Sequence, residues 1–234
     1  MLRGLISTSF VFFALVSCSN YGIGSKEVLV NNSAQAKLNE RLRNTGKEKF
    51  NIKNTRGVVV LDKFGRSDFV KFYNADGSLW YEFTYFYDDK DGKFEYANDD
   101  FRPFAFHQDH FLLAVKCTDK TDKFFEVVVN EETGLKKYVK ANDPVLKLEP
   151  WEKFVLGVFA VKFEKKVNPI LETPNGYVKT VDIPAGASFR PVEADGDWLK
   201  IRWDQAGAKT GEASKGWIRW KNDESLLIDF SYFS

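Results

Sequence analysis

Residues Glu193–Trp203 read EADGDWLKIRW. An acidic turn, Asp195-Gly196-Asp197, leads into a segment where Leu199, Ile201 and Trp203 alternate with Trp198, Lys200 and Arg202. Such alternation predicts a strand with one face in a core and the other toward solvent. Gly196 suits a turn whose backbone conformation other residues resist. A shorter echo, KGWIRW, follows at Lys215–Trp220, so the two phrases hold four of the chain's six tryptophans. Gly216 before Trp217 predicts a close backbone approach or a bulge.

Two further phrases precede these. Ile170 and Leu171 lead to the turn Pro174-Asn175-Gly176, and Ile183 leads to Pro184-Ala185-Gly186. Taken in order, the four phrases resemble the bacterial Src-homology-3-like domain, a small barrel common in envelope proteins. The resemblance spans residues 168 to about 230. It implies a β-barrel here, with a binding role in the cell envelope. The long segment Asp204–Ser214 departs from the family, where a tight hairpin is usual.

The rest of the chain also reads as β structure. Aromatic residues make up 16% and hydrophobic residues 44% of the 234 residues, with 22 Phe and one Met. That content supports a real core, and the aromatic bias favours strands. The runs GVVVLDKF, FVKFYN, SLWYEFTYFY, HFLLAVKCT, KFFEVVVN and LKKYVK are separated by turns such as Ala75-Asp76-Gly77. Asp-Gly between apolar runs is a strong hairpin signal. In WYEFTYFY the all-aromatic face, Tyr81, Phe83, Tyr85 and Tyr87, is the expected core face. Residues 124–140 read either as a second, diverged barrel or as an ordinary hairpin. One short helix is expected over EPWEKFVLG, with Pro150 at the first helical position and Gly157 at a terminus. The fold class is therefore mainly β: an aromatic-rich antiparallel region with one short helix, then a small Src-homology-3-like barrel.

The first residues have a different character. Arg3, an apolar run from Leu5 to Val16, and the small Ser17 before Cys18 make a secretory signal peptide. The apolar run is shorter than the ~20 residues a membrane span needs. Leu15-Val16-Ser17-Cys18 resembles the lipobox of bacterial lipoproteins, which implies lipidation of Cys18. Ser19 stands where Asp would direct inner-membrane retention, so the resemblance implies the outer membrane of a Gram-negative bacterium, on its periplasmic or surface face. The expected organisation is a signal peptide at 1–17, a lipid-anchored polar tether at 18–50, a β-rich aromatic domain at 51–165 and the barrel at 166–234. A short helix is expected within the tether, over AQAKLNERLRN.

Formal net charge is +1, with 34 Lys+Arg against 33 Asp+Glu and no basic run in the chain. Nothing here attracts a nucleic-acid backbone. Cys18 and Cys117 are the two cysteines, so lipidation of Cys18 excludes a disulfide framework. Cys117 lies in an apolar run and is expected as a buried small hydrophobe. The two histidines, His107 and His110, lie with Asp109 in FAFHQDHF. Without a third His or Cys they read as a polar loop more readily than as metal ligands. No enzyme activity, cofactor or metal is expected.

The function expected is a lipid-anchored envelope binding module, engaging peptidoglycan or an envelope protein. Tyr177, Trp198, Trp217 and Trp220 are the candidate ligand-binding residues, since aromatics give large contact area at low entropy cost. The alternatives are a structural accessory subunit of an envelope complex and a small metal-dependent hydrolase using His107 and His110.

Overall fold

The computed structural model describes residues 50–86, 98–166, 168–204 and 213–234. Cys18, the tether helix and Tyr87 lie outside the described residues, as does most of the segment between Asp204 and Ser214. The architecture is mainly β with antiparallel sheets. Among the described residues no helix is long and apolar enough to cross a membrane.

The larger sheet contains β1 (Gly57–Leu61), β2 (Val70–Tyr73), β3 (Leu79–Phe83), β4 (Ala105–His107), β5 (Leu112–Lys120), β6 (Phe124–Asn130), β7 (Leu135–Lys140) and β8 (Leu146–Glu149). Its strand order is β3-β2-β7-β6-β5-β1-β8, with β4 paired to β5. β6 and β7 form an ordinary antiparallel hairpin within this sheet. The short strands β4 and β8 find their partners by pairing with β5 and β1.

The apolar run in β1 follows from burial on both faces. Val59 packs with Leu113, Val115 and Cys117 of β5, and with Phe72 and Phe83. Val58 and Val60 point the other way, toward the helix and the C-terminal strands. The aromatic face of β3 behaves as its alternation implies. Phe83 and Tyr85 are buried and Tyr81 is half-buried, although the strand itself ends at Phe83. The rings of Phe83 and Phe101 lie 5.6 Å apart, and those of Phe83 and Phe106 5.1 Å.

The helix α1 (Trp151–Gly157) starts after Pro150, which stands at the N-cap with an extended backbone and accepts Phe154 N–H at 3.0 Å. Trp151, Phe154 and Val155 form its buried face. The Trp151 indole N–H donates to Thr55 Oγ1 at 2.9 Å, tying the helix to the entry of β1. β9 (Ala160–Lys162) pairs with β13 (Asp229–Ser231).

The C-terminal strands are β10 (Arg190–Asp195), β11 (Trp198–Asp204) and β12 (Ala213–Arg219), in that order in one sheet. Leu199, Ile201 and Trp203 are buried, as their alternation implies. They share one core cluster with Trp151, Phe154, Val58 and Val60. Residues 45–234 accordingly form one compact unit.

Candidate functional site

The C-terminal sheet is continued beyond β12 by a tight hairpin over residues 170–179. Leu171 and Trp217 exchange both backbone hydrogen bonds, at 2.7 and 2.8 Å, and Leu171 also bridges to Val178. Gly216 is what allows this approach. A Cβ there would lie 2.3 Å from Ile170 Cγ2 and 3.1 Å from the Leu171 carbonyl oxygen. The close-approach reading of Gly216 therefore holds. Gly196 adopts a positive φ of 55° in the turn between β10 and β11. Asn168 finishes the sheet: its side-chain amide donates to the Arg219 carbonyl at 2.6 Å and accepts Arg219 N–H at 3.1 Å.

Residues directly opposite one another across paired strands share a face. The register places Glu193, Lys200, Trp217, Leu171 and Val178 in one row on the outward face. Lys200 Nζ donates to Glu193 Oε2 at 2.8 Å and lies 5.1 Å from the Trp217 ring centroid. One step along β11, Trp198 stands opposite Arg219, whose guanidinium pairs with Asp197 at 3.1 Å. One step the other way, Arg190, Arg202 and Lys215 stand directly opposite one another, and all three are exposed.

The four candidate aromatics separate in this frame. Tyr177 is 87% exposed and its neighbour Val178 60%. Trp198 is half-buried on the outward face. Trp217 is also on that face but only 8% exposed. Trp220 is a correction: it is 0% exposed, and its indole N–H donates to the Gly196 carbonyl at 3.0 Å. Lying two residues beyond Ile218, it falls on the inner face, so it is a core residue. Of the four, Tyr177 is exposed and Trp198 is half-buried, while Trp217 and Trp220 are buried.

The chemistry-bearing residues elsewhere are engaged structurally. Cys117 is fully buried; desolvation pushes its thiol up to about 11, and Sγ donates to the Asp119 carbonyl at 3.2 Å. A thiol held so far above neutral pH is a poor nucleophile. His107 ends β4, and His110 ends the 3-10 turn Gln108–His110 that joins β4 to β5. The His110 ring stacks on Phe233, with centroids 3.9 Å apart, and His107 meets Phe233 edge-on at 5.2 Å. The pair thus packs against the C-terminal tail. Among the described residues, no group of three or more His, Cys, Asp or Glu is placed to hold a metal.

A cleft of about 460 Å³ lies between the β2–β3 turn and the β5–β6 hairpin, lined by Asp76, Asp119, Phe124, Glu126 and Tyr138 among others. Its carboxylates are occupied locally. Asp76 accepts from the backbone and hydroxyl of Ser78, and these bonds hold its carboxyl below the usual range. Glu126 accepts from Lys136, Thr118 and Tyr138, with the first two lowering it most.

Alternation along β11 already implies an outward Arg202, but the row it forms with Arg190 and Lys215 was missed. The reason is a register shift between Pro191 and Glu193, which leaves the partner of Arg202 unreadable from local pattern. Comparison with known proteins finds no family model, no curated protein and no solved structure that matches the chain.

Proposed function

We propose that the chain is a lipid-anchored, non-enzymatic binding module of the bacterial cell envelope, engaging peptidoglycan or an envelope protein through a C-terminal Src-homology-3-like domain. The observation that carries this reading is the exposure of Tyr177, 87%, on a hairpin fixed by two backbone bonds to β12. A large aromatic ring held in solvent on a rigid element has its ordering cost already met, which suits it to contact a partner. Trp198 gives a second aromatic surface on the outward face of the same sheet. The four sequence phrases in order support the domain assignment, and the Leu-Val-Ser-Cys ending of the leader supports the anchor.

Retention of the purified protein on peptidoglycan sacculi tests the binding role. A contact centred on these aromatics follows hot-spot behaviour, about 2 kcal/mol or roughly thirtyfold per ring. Tyr177→Ala and Trp198→Ala should each weaken retention by that order while circular dichroism stays unchanged. Equal retention by both variants would remove these residues from the site. No retention of the wild type would leave an envelope protein as the partner to be sought.

The anchor is tested in cells. Cys18→Ser should abolish incorporation of labelled fatty acid and leave the precursor uncleaved, because the thiolate is the nucleophile that takes the lipid. Normal processing of that variant would overturn the anchor.

A further inference from the structure

We propose that the outward face of the C-terminal sheet carries a contact site for an anionic phospholipid surface, centred on the row Arg190, Arg202 and Lys215. The inference rests on the reading of the chain as lipid-anchored and adds a second, electrostatic contact to the same membrane.

Three cations directly opposite one another are unfavourable for the sheet, because like charges at paired positions repel. Neighbouring strands lie about 4.8 Å apart, so the row spans only about 10 Å. Among the described residues no carboxylate lies within ion-pair distance of Arg202 or Lys215, and neither side chain has a hydrogen-bond partner. Arg190 lies 5.0 Å from the Phe159 ring centroid, a contact that fixes its position and leaves its charge uncompensated. The neighbouring cations of this face behave otherwise, with Lys200 held by Glu193 and Arg219 by Asp197. On this face of the C-terminal sheet, the cations without a carboxylate partner among the described residues thus fall in one row.

An anion is the complement of that row. Val192 is exposed in the bulge between Pro191 and Glu193, beside Arg190, and half-buried Trp198 lies four residues from Arg202 on the same face of β11. Apolar and tryptophan side chains beside basic ones are the composition of a surface that rests at the headgroup level of a bilayer. The expected acyl group on Cys18, followed by a tether through residue 50, keeps the membrane at high effective concentration. Weak charge contacts then suffice to hold the sheet against it.

The test uses the mature chain from residue 18 with Cys18→Ser, so that no acyl group contributes. It is mixed with vesicles of phosphatidylcholine alone, or of phosphatidylcholine with an equal share of phosphatidylglycerol, and the bound fraction is read by sedimentation. Each cation at an anionic surface is worth about fivefold in partition. The Arg190→Gln/Arg202→Gln/Lys215→Gln variant should therefore bind the anionic vesicles about a hundredfold more weakly than its parent. It should differ little from the parent on neutral vesicles or at high salt. The control Lys63→Gln/Lys123→Gln/Lys166→Gln removes three exposed cations elsewhere and should bind like the parent.

Equal binding by the row variant, equal loss in the control, or equal binding of the parent to both vesicle types would overturn the proposal. So would sedimentation of the parent with peptidoglycan sacculi, but not with vesicles, in a manner that needs the row. Failure of the anchor itself is read separately, from fatty-acid labelling at Cys18 in cells.

Discussion

Lys116→Ala is expected to destabilise the protein by about 3–5 kcal/mol, a large share of the 5–15 kcal/mol by which a domain is ordinarily stable. Lys116 lies in β5 on the face of the large sheet that looks toward the helix and the C-terminal strands, opposite Val58. Its ammonium donates to Glu131 Oε2 at 2.5 Å and to the Asn51 carbonyl at 2.8 Å, and lies 5.3 Å from the Phe104 ring centroid. The side chains of Lys116 and Glu131 are 4% and 11% exposed. Removing the lysine takes away the ammonium hydrogen-bonded to a carboxylate that is itself mostly out of water, which costs more than removing both groups together. A Lys116→Met/Glu131→Leu variant should recover most of the loss. Urea unfolding checks both, through midpoints compared at constant slope. If the double variant is no more stable than Lys116→Ala, the contribution of Lys116 lies in its contacts with Asn51 and Phe104.

Trp220→Ala should cost about 3–5 kcal/mol, the usual range for emptying a buried aromatic site. Beyond its packing, Trp220 spans two turns: its backbone N–H donates to the Asp197 carbonyl at 3.0 Å, and its carbonyl accepts Leu227 N–H at 2.8 Å. Its cluster continues through Leu199 and Ile218 to Trp151, Val58 and Val60. The loss should therefore appear as one shifted transition, coincident by tryptophan fluorescence and by far-ultraviolet circular dichroism. Two separated transitions would mean that the C-terminal strands unfold independently of the large sheet. Tyr177→Ala, by contrast, should change the stability by no more than about 0.5 kcal/mol, as exposed positions do. The pair of substitutions separates the tryptophan that builds the fold from the tyrosine that stands in solvent.

Much of the local structure was legible because it depends on neighbours in the chain. The alternation of Leu199, Ile201 and Trp203, the Pro150 start and Gly157 end of the helix, and the turn at Gly196 are all short-range features. The aromatic core face of β3 followed from period two, though only Phe83 and Tyr85 are fully inside. Trp220 obeys the same rule, since it lies two residues beyond buried Ile218 and so on the opposite face from Trp217. The strands β4 and β8 carried too little pattern over three and four residues to be read alone.

Local pattern was enough for the class: strands and turns rich in aromatics, one short helix, a Gly-Asp-Trp turn and a close backbone approach at Gly216. These follow from side-chain periodicity and from backbone freedom at particular glycines. Which aromatics face solvent depends on the three-dimensional packing, because burial is set by what packs over a strand's second face. Only the tertiary structure placed Arg190, Arg202 and Lys215 side by side in a chain with no basic run. A bulge between Pro191 and Glu193 shifts that register, and cross-strand neighbours are fixed by hydrogen bonding between segments that local sequence does not relate.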